Sequence, residues 1–197
     1  MFIMDIPRDK MKPLNKEHVH FICIHHTACE TATPMQIHQW HLDRGWLGFG
    51  YNAYIRKDGT VHIGRGFHVG AHTKGYNSQS YGICVEGNYS EEKHMPRPQM
   101  AALKRYIEAI KSELPNVKDV VGHNMLSTTE CPGLYFPWTE LRNGENPHWA
   151  DGVYEELTDR FGLTIHEKRF DDKITRGEAM ALILQGLKAL KYYIDQH

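Results

Sequence analysis

The chain has 197 residues, 41% of them hydrophobic, which is enough for one domain of ordinary size and a smaller appendage. Its formal net charge of -1 gives no electrostatic reason to expect binding to nucleic acid or to an anionic membrane. Four cysteines are too few for a disulfide scaffold, and no segment has the pattern of a signal peptide or a membrane span. We therefore expect synthesis in the cytoplasm without membrane insertion, while the 14 histidines favour a metal site.

The first apolar run, residues 19–24, predicts a buried strand that ends at His25 and His26. Because side chains alternate across a strand, these two histidines should lie on opposite faces of the sheet. We therefore expect only one of them to reach a common site. Cys23, inside the same run, is typical of a small buried side chain.

A helix is predicted after this strand. Thr33 and Gln36 form a capping-box pattern around Pro34, and Gly45 supplies the stop signal. The predicted face of this helix carries Ile37, Trp40 and His41.

The next part of the chain predicts a hairpin, a loop and another strand. Residues 50–55 and 60–63 are strand-like segments joined through Lys-Asp-Gly at 57–59, which is typical of a hairpin. Residues 64–78 are rich in glycine, histidine and asparagine without periodicity, so we expect a long functional loop. Residues 80–86 form a further apolar strand pattern.

A second helix begins at Pro98 and stops before Pro115, and residues 119–122 predict the last short strand. Strands that alternate with helices predict an α/β domain with a mixed central β-sheet flanked by helices. We place this domain at residues 1–143. The apolar positions of the second helix recur at three- and four-residue spacing, at Met100, Leu103, Ile107, Ile110 and Leu114.

Residues 144–197 predict a small C-terminal helical segment. Residues 143–147 have the composition of a linker, and two amphipathic helix patterns follow it. About fifty residues in two helices make a thin core, so we expect this segment to dock or to self-associate.

The chemistry-bearing residues are His25, His123 and Cys131. Histidine nitrogen and cysteine thiolate are preferred zinc ligands, and three protein ligands leave a fourth position open, as in catalytic zinc sites. Water bound there would have its pKa lowered toward about 7. These residue types therefore make the three residues candidate ligands of a zinc hydrolase, although their spacing alone does not establish the site.

Two other interpretations use the same residues. Two histidines, a cysteine and the nearby Met125 are also the ligand types of a blue-copper site, although no other redox feature accompanies them. The alternative without a metal is a buried cysteine, a histidine at a strand end and an exposed histidine.

A series of motifs occurs in a fixed order between about residues 18 and 140 and resembles one family throughout. The resemblance is to the type-2 N-acetylmuramoyl-L-alanine amidases, the zinc-dependent family shared by phage amidase endolysins and animal peptidoglycan recognition proteins. The motifs are IHHTA at 24–28, GWLGFGYN at 45–52, DGTV at 58–61, GR at 64–65, GAHTKGYN at 70–77, GI at 82–83, GH at 122–123 and CPG at 131–133.

This resemblance implies a role for individual residues. It implies that His25, His123 and Cys131 bind Zn²⁺ and that Tyr51 is a catalytic residue that orients or polarises the attacking water. Thr129 stands two residues before the ligand cysteine, where similar phage members can carry lysine and catalytic recognition proteins carry threonine. A hydrogen bond from this position would stabilise a developing oxyanion.

The implied substrate is peptidoglycan, and the implied reaction is hydrolysis of the amide between N-acetylmuramic acid and the first L-alanine of the stem peptide. Trp46, His72 and Asn77 are expected to line the substrate groove. For Trp46 the alternative is simple core packing.

The resemblance leaves the biological context open. A phage or prophage endolysin, released to the wall by a hole-forming partner, is the most economical expectation, and a bacterial autolysin is the alternative. Non-catalytic relatives that bind peptidoglycan commonly lack the ligand cysteine, whereas Cys131 is present here. Some phage amidases also bind and inhibit an RNA polymerase, and such a regulatory role stays open.

The C-terminal segment resembles a single S-layer homology repeat, a family that binds cell-wall polysaccharide. Trp149 and Arg176 would be the wall-binding residues, and Gly177 replaces the alanine that is usual in that family. The alternative is a helical hairpin that packs on the catalytic domain or dimerises.

Overall fold

A six-stranded mixed sheet lies at the centre of residues 1–142, the part of the chain that this computed structural model describes. The strand order is β1-β4-β3-β5-β2-β6, and β3 and β4 form the antiparallel hairpin while the other pairs are parallel. The mixed central sheet predicted from the sequence is therefore confirmed. The strands are β1 (Phe2–Ile3), β2 (Phe21–His26), β3 (Ala53–Ile55), β4 (Val61–Ile63), β5 (Ser80–Val85) and β6 (Asp119–Gly122).

Three α-helices flank the sheet, at α1 (Pro34–Asp43), α2 (Arg97–Glu113) and α3 (Trp138–Arg142). The capping box predicted for α1 is present. The Thr33 hydroxyl accepts a hydrogen bond from the Gln36 backbone amide, and the Gln36 side-chain oxygen accepts one from the Thr33 backbone amide. The predicted face of α1 is partly wrong. Ile37 and His41 are buried, but Trp40 is 41% exposed because helix α1 covers the sheet with a narrow apolar stripe.

Helix α2 supplies one side of the main core. Its apolar residues pack against buried strand residues such as Ile24 on β2 and Ile83 on β5, and each fully buried side chain of this size contributes about 1.5–3 kcal/mol. The buried residues of the helix include Met100, Leu103, Ile107 and Ile110, as the sequence pattern predicts, and Leu114 is buried just after its end.

The two central strands explain where a site can form. In the parallel pair β2–β6, Ile24 is aligned with Gly122, so His25 and His123 follow at the carboxyl ends of neighbouring strands. Such carboxyl ends lie at one edge of a sheet, where side chains converge in open α/β sheets. The register therefore brings these two histidines to one place.

Some elements differ from the sequence-based expectations. Strand β3 begins at Ala53, because the Gly50 and Tyr51 carbonyls accept hydrogen bonds from the loop amides of Ala71 and Arg65, although the Asn52 amide still donates to Gly82 on β5. The short elements β1 and α3 were not predicted. Residues 64–78 contain no helix or strand, as expected for the long loop. The four cysteines, which all lie in residues 1–142, are free thiols.

The expectations for the C-terminal segment remain untested. The predictions for residues 144–197, including the wall-binding roles of Trp149 and Arg176, lie outside the described residues. Within residues 1–142, every helix is too short or too polar to cross a bilayer.

Candidate metal centre

The three predicted ligands come together at the carboxyl edge of the sheet. One nitrogen each from His25 and His123 and the sulfur of Cys131 lie within 4.8 Å of one another. Cys131 Sγ is 3.8 Å from His25 Nδ1, and the two histidine rings are 4.5 Å apart between centroids. His26, by contrast, uses its Nδ1 to accept a hydrogen bond from the Tyr89 backbone. As alternation predicts, only the first histidine of the pair faces the ligand set.

The donor set fits a zinc ion. Zn–N and Zn–S bonds in a tetrahedral site imply a nitrogen–sulfur separation of about 3.6 Å, close to the distance between His25 Nδ1 and Cys131 Sγ. Burial lowers the pKa of His25 well below its usual range, and the neighbouring His72 and His123 lower it further, while burial also lowers the pKa of His123. Both imidazoles are therefore neutral at pH 7, as metal ligands must be.

Burial raises the pKa of the Cys131 thiol to about 11, although a hydrogen bond from the His26 backbone acts in the opposite direction. Without a metal the thiol is therefore protonated at neutral pH. A zinc ion would displace this proton, because the thiolate is the species that binds metal.

The loop that carries Cys131 is fixed by backbone contacts. The Asn124 amide donates to the Cys131 carbonyl at 2.8 Å, which ties the start of the loop to its end. Gly133 has a φ of 103°, and a Cβ there would clash with the Tyr89 backbone. Glycine after the Cys-Pro pair is therefore required for the close approach of this loop to residue 89.

A second group of side chains lies against the opposite nitrogen of His25. His25 Nε2 is 3.1 Å from His72 Nδ1, and the Thr73 hydroxyl is 3.0 Å from the same His72 atom. Thr73 Oγ1 also lies 3.4 Å from Cys23 Sγ and 3.5 Å from His25 Nε2. These four side chains form one buried polar cluster, which we call the Thr73 cluster.

His72 and Asn77 were predicted to line the groove. His72 is only 9% exposed, and the contact that the structure shows is with His25. Asn77 Oδ1 accepts hydrogen bonds from the backbone amides of His72 and Thr73, both at 2.8 Å, so it holds the loop in shape. Their contact with substrate stays a prediction.

The His72 ring is neutral. Burial lowers its pKa to about 3, with smaller contributions from His123 and Arg65. Its Nε2 is buried and makes no hydrogen bond of good geometry within residues 1–142, although the Ser80 backbone is close enough to favour a proton on the ring.

Tyr51 lies beside the ligand set, with its ring centroid 5.1 Å from that of His25. Burial raises the pKa of its hydroxyl well above the usual range, and so do the neighbouring thiols of Cys84 and Cys131. Tyr51 is therefore a neutral phenol that can donate a hydrogen bond.

Trp46 is 38% exposed and its ring lies 4.8 Å from that of His41, which in turn accepts a hydrogen bond from the Gly50 amide. The exposure argues against simple core packing for this tryptophan, and its role in the substrate groove stays a prediction.

Thr129 is exposed, and its hydroxyl oxygen accepts a hydrogen bond from the Cys131 backbone amide at 3.3 Å. Because the oxygen acts as the acceptor in this contact, its own O–H is free to donate to another group. Met125, the fourth ligand type of the copper interpretation, is 61% exposed.

A family model matches the part of the chain that carries this cluster. The family model of the N-acetylmuramoyl-L-alanine amidases (Amidase_2) matches residues 15–134, a span that includes His25, Tyr51, His123 and Cys131. The chain belongs to this amidase family.

Relatives of this chain include recognition proteins and endolysins. Peptidoglycan-recognition protein SC1a of Drosophila melanogaster is 36% identical over 141 residues, covering 66% of this chain and 75% of the relative. The endolysin of Enterobacteria phage K11 is 37% identical over 104 residues, covering 50% of this chain and 68% of the endolysin.

Solved structures show the same fold. The N-acetylmuramoyl-L-alanine amidase LysC from Clostridium intestinale URNW superposes with a TM-score of 0.66 at 35% identity, covering 74% of this chain and 96% of LysC. Peptidoglycan recognition protein-LE, solved in complex with tracheal cytotoxin, has a TM-score of 0.62 at 27% identity and covers 73% and 92% of the two chains. The mixed α/β fold is therefore that of the amidases and recognition proteins.

Sequence reasoning missed two residues beside the candidate metal centre. Thr73 stands inside the GAHTKGYN motif, but nothing in the motif itself shows that its hydroxyl faces the back of His25. Cys84 is aligned with His25 in the parallel pair β2–β5, so a register prediction would have placed it near the ligands.

Proposed function

We propose that this chain is a zinc-dependent peptidoglycan hydrolase that cleaves the amide between N-acetylmuramic acid and the first L-alanine of the stem peptide. The observation that carries the proposal is the clustering of two neutral imidazoles and one thiol within 4.8 Å, at the positions of the three expected ligands. When bound, zinc would supply a water of lowered pKa and a Lewis acid for the carbonyl oxygen.

The protein's own side chains then have separate tasks in the reaction. The Tyr51 phenol, whose ring centroid is 5.1 Å from that of His25, would orient the attacking water by hydrogen bonding. The Thr129 hydroxyl, which accepts a hydrogen bond from the Cys131 amide, would donate to the oxygen of the amide carbonyl as negative charge develops there.

The proposed substrate agrees with the relatives. The solved recognition protein-LE was crystallised with tracheal cytotoxin, described as a monomeric diaminopimelic acid-type peptidoglycan. Endolysins of Enterobacteria phage K11 and Klebsiella phage KP32 are among the similar proteins, which supports lysis of a host cell wall as the biological role. A bacterial autolysin would use the same chemistry.

The test is digestion of purified sacculi by protein loaded with one equivalent of zinc, followed by mass spectrometry. We expect free stem peptides with an N-terminal alanine and glycan chains without peptide. Cys131→Ser should lose both zinc and activity. Cys29→Ser is the matched control, because Cys29 is the other partly exposed thiol and lies outside the ligand set, so it should keep both.

Two results would contradict the proposal. Zinc-loaded protein that releases no N-terminal alanine is not an amidase of this type. If that protein still binds muropeptides, it is a recognition protein instead of an enzyme.

A further inference from the structure

The two nitrogens of His25 face different partners. Nδ1 lies 3.8 Å from Cys131 Sγ and so belongs to the ligand set, whereas Nε2 lies 3.1 Å from His72 Nδ1. A neutral imidazole carries one proton, on one nitrogen or the other. For Nδ1 of His25 to offer a lone pair to a metal, the proton must be on Nε2.

This requirement fixes what His72 has to do. With a proton on Nε2 of His25, the nitrogen of His72 that faces it must be an acceptor. If His72 Nδ1 carried a proton instead, His25 Nε2 would have to accept it. The His25 proton would then move to Nδ1 and block the ligand position.

We propose that His72 is a positioning residue, whose Nδ1 accepts the Nε2–H of His25 and so holds His25 in the tautomer that leaves Nδ1 free to bind metal. The inference rests on the proposed zinc function for its consequence, but the tautomer itself is a property of the metal-free protein. Ligand histidines generally make such a hydrogen bond with their second nitrogen, most often to a carboxylate, a carbonyl or water. Here the partner is another buried imidazole.

The fold holds the His72 ring rigidly in this place. A Cβ at Gly70 or at Gly82 would clash with the ring, so the imidazole lies directly against two glycine backbones. The backbone amide of His72 is held by Asn77, and its Nδ1 also contacts the Thr73 hydroxyl at 3.0 Å. The same hydroxyl can donate to Cys23 Sγ at 3.4 Å, which leaves the one lone pair of His72 Nδ1 to the His25 proton.

A second metal is the competing explanation of the Thr73 cluster. Cys23, His25 and His72 also offer three ligand atoms within 4.8 Å. The Thr73 hydroxyl, however, is within 3.5 Å of one ligand atom of each, so these three residues are already joined by hydrogen bonds. A metal there would also need the nitrogen of His25 that must carry the proton. Hydrogen bonding therefore accounts for the cluster better than a second ion.

The direct test is the tautomer of His25 in zinc-free protein. Two-bond ¹H–¹⁵N spectra of ¹⁵N-histidine-labelled protein distinguish the Nε2–H from the Nδ1–H form, and His25→Ala identifies the His25 signals. We expect the Nε2–H form in wild-type protein. If wild-type protein has the Nδ1–H form, the proposal is overturned. This measurement does not depend on whether a variant at position 72 folds.

The second test compares two variants with the same branched shape and the same number of side-chain heavy atoms. His72→Asn keeps an acceptor where Nδ1 stood, whereas His72→Leu removes it. We expect His72→Leu to lose the pure Nε2–H form and to bind zinc about 10–100-fold more weakly in competition with a chromophoric chelator. His72→Asn should keep most of the zinc affinity. Wild-type protein should bind one zinc ion per chain.

Each other outcome has a defined meaning. Equal loss of affinity in His72→Leu and His72→Asn shows that ring volume matters and overturns the proposal, as does unchanged affinity in His72→Leu. Binding of two zinc ions per chain, with the second ion lost in Cys23→Ala, would show the competing metal site. That result also overturns the proposal for His72. If wild-type protein binds no more zinc than His25→Ala, the proposed function fails, while the tautomer spectrum still decides the inference.

Discussion

Cys131 Sγ lies 3.8 Å from His25 Nδ1, although 106 residues separate the two in sequence. The contact depends on the parallel pairing of β2 and β6, which aligns Ile24 with Gly122 and so places His25 beside the loop that carries the cysteine. A thiol whose pKa is raised to about 11 by burial and two imidazoles whose pKa values are lowered face one another there. The protonation states of this metal-free set are therefore fixed at neutral pH, with consequences for zinc binding.

Zinc affinity should rise with pH. Because Cys131 is protonated below about pH 11 while both histidines are already neutral at pH 7, binding one zinc ion releases one proton. The apparent association constant should therefore increase about tenfold per pH unit between about pH 7 and 9. Calorimetric titration in buffers of different ionisation enthalpy measures the proton count, and a count of zero would show that the thiolate is not a ligand.

Thr129→Val should impair catalysis without loss of zinc. Valine has the same shape but cannot donate to the developing oxyanion, so kcat should fall by about 10²–10³-fold. Thr129→Ser keeps the hydroxyl, including its contact with the Cys131 amide, and should stay near wild type. The two variants are compared by muropeptide release at equal zinc content. A decrease in zinc affinity as large as the decrease in kcat would place Thr129 in support of Cys131 instead.

Tyr51→Phe should also lower kcat, by about 10²-fold, because the phenol that we propose to orient the attacking water is lost. Tyr106→Phe is the control, since that hydroxyl pairs with Tyr81 in the core and its loss should reduce stability without changing kcat. Sacculus digestion and chemical unfolding measure the two effects. Equal kcat for Tyr51→Phe and wild-type protein would remove Tyr51 from the mechanism.

The zinc-free protein should lose stability in mild acid. Burial lowers the pKa of His26 and His41 to about 4 and that of His72 to about 3, all below the ordinary value of 6.5. As the pH falls, these histidines therefore take up protons in the unfolded chain before they do so in the folded protein. The free energy of unfolding decreases between about pH 6.5 and 4 for this reason. Above about pH 6.5 the histidines are neutral in both states, and their contribution to stability is fully present.

Urea unfolding at pH 7, 6 and 5 measures this decrease. His41→Asn should make it less steep, because the amide oxygen can still accept from Gly50 but takes up no proton. A free energy of unfolding that is independent of pH over this range would show that the buried histidines are not neutral in the fold.

Much of the fold was predictable because the decisive signals are local. The Thr33 and Gln36 capping box, the Asp58-Gly59 hairpin and the spacing of α2 each depend on neighbouring residues, and the structure contains all three. The very short elements β1 and α3 carry too few residues for a periodic pattern and were missed. Trp40 was placed on the buried side of α1 because periodicity does not show how wide the covered face is.

The sequence by itself determined which residues could form the site. Its ordered motifs singled out His25, His123 and Cys131, and alternation along β2 separated His25 from His26. Only the tertiary structure decided which nitrogen of His25 faces Cys131 and which faces His72. The ring orientation depends on the register of β2 against β5 and on the path of the loop at residues 64–78, both set by contacts between residues far apart in the chain. Such contacts leave no periodic pattern in the sequence, because they are fixed only when the sheet assembles.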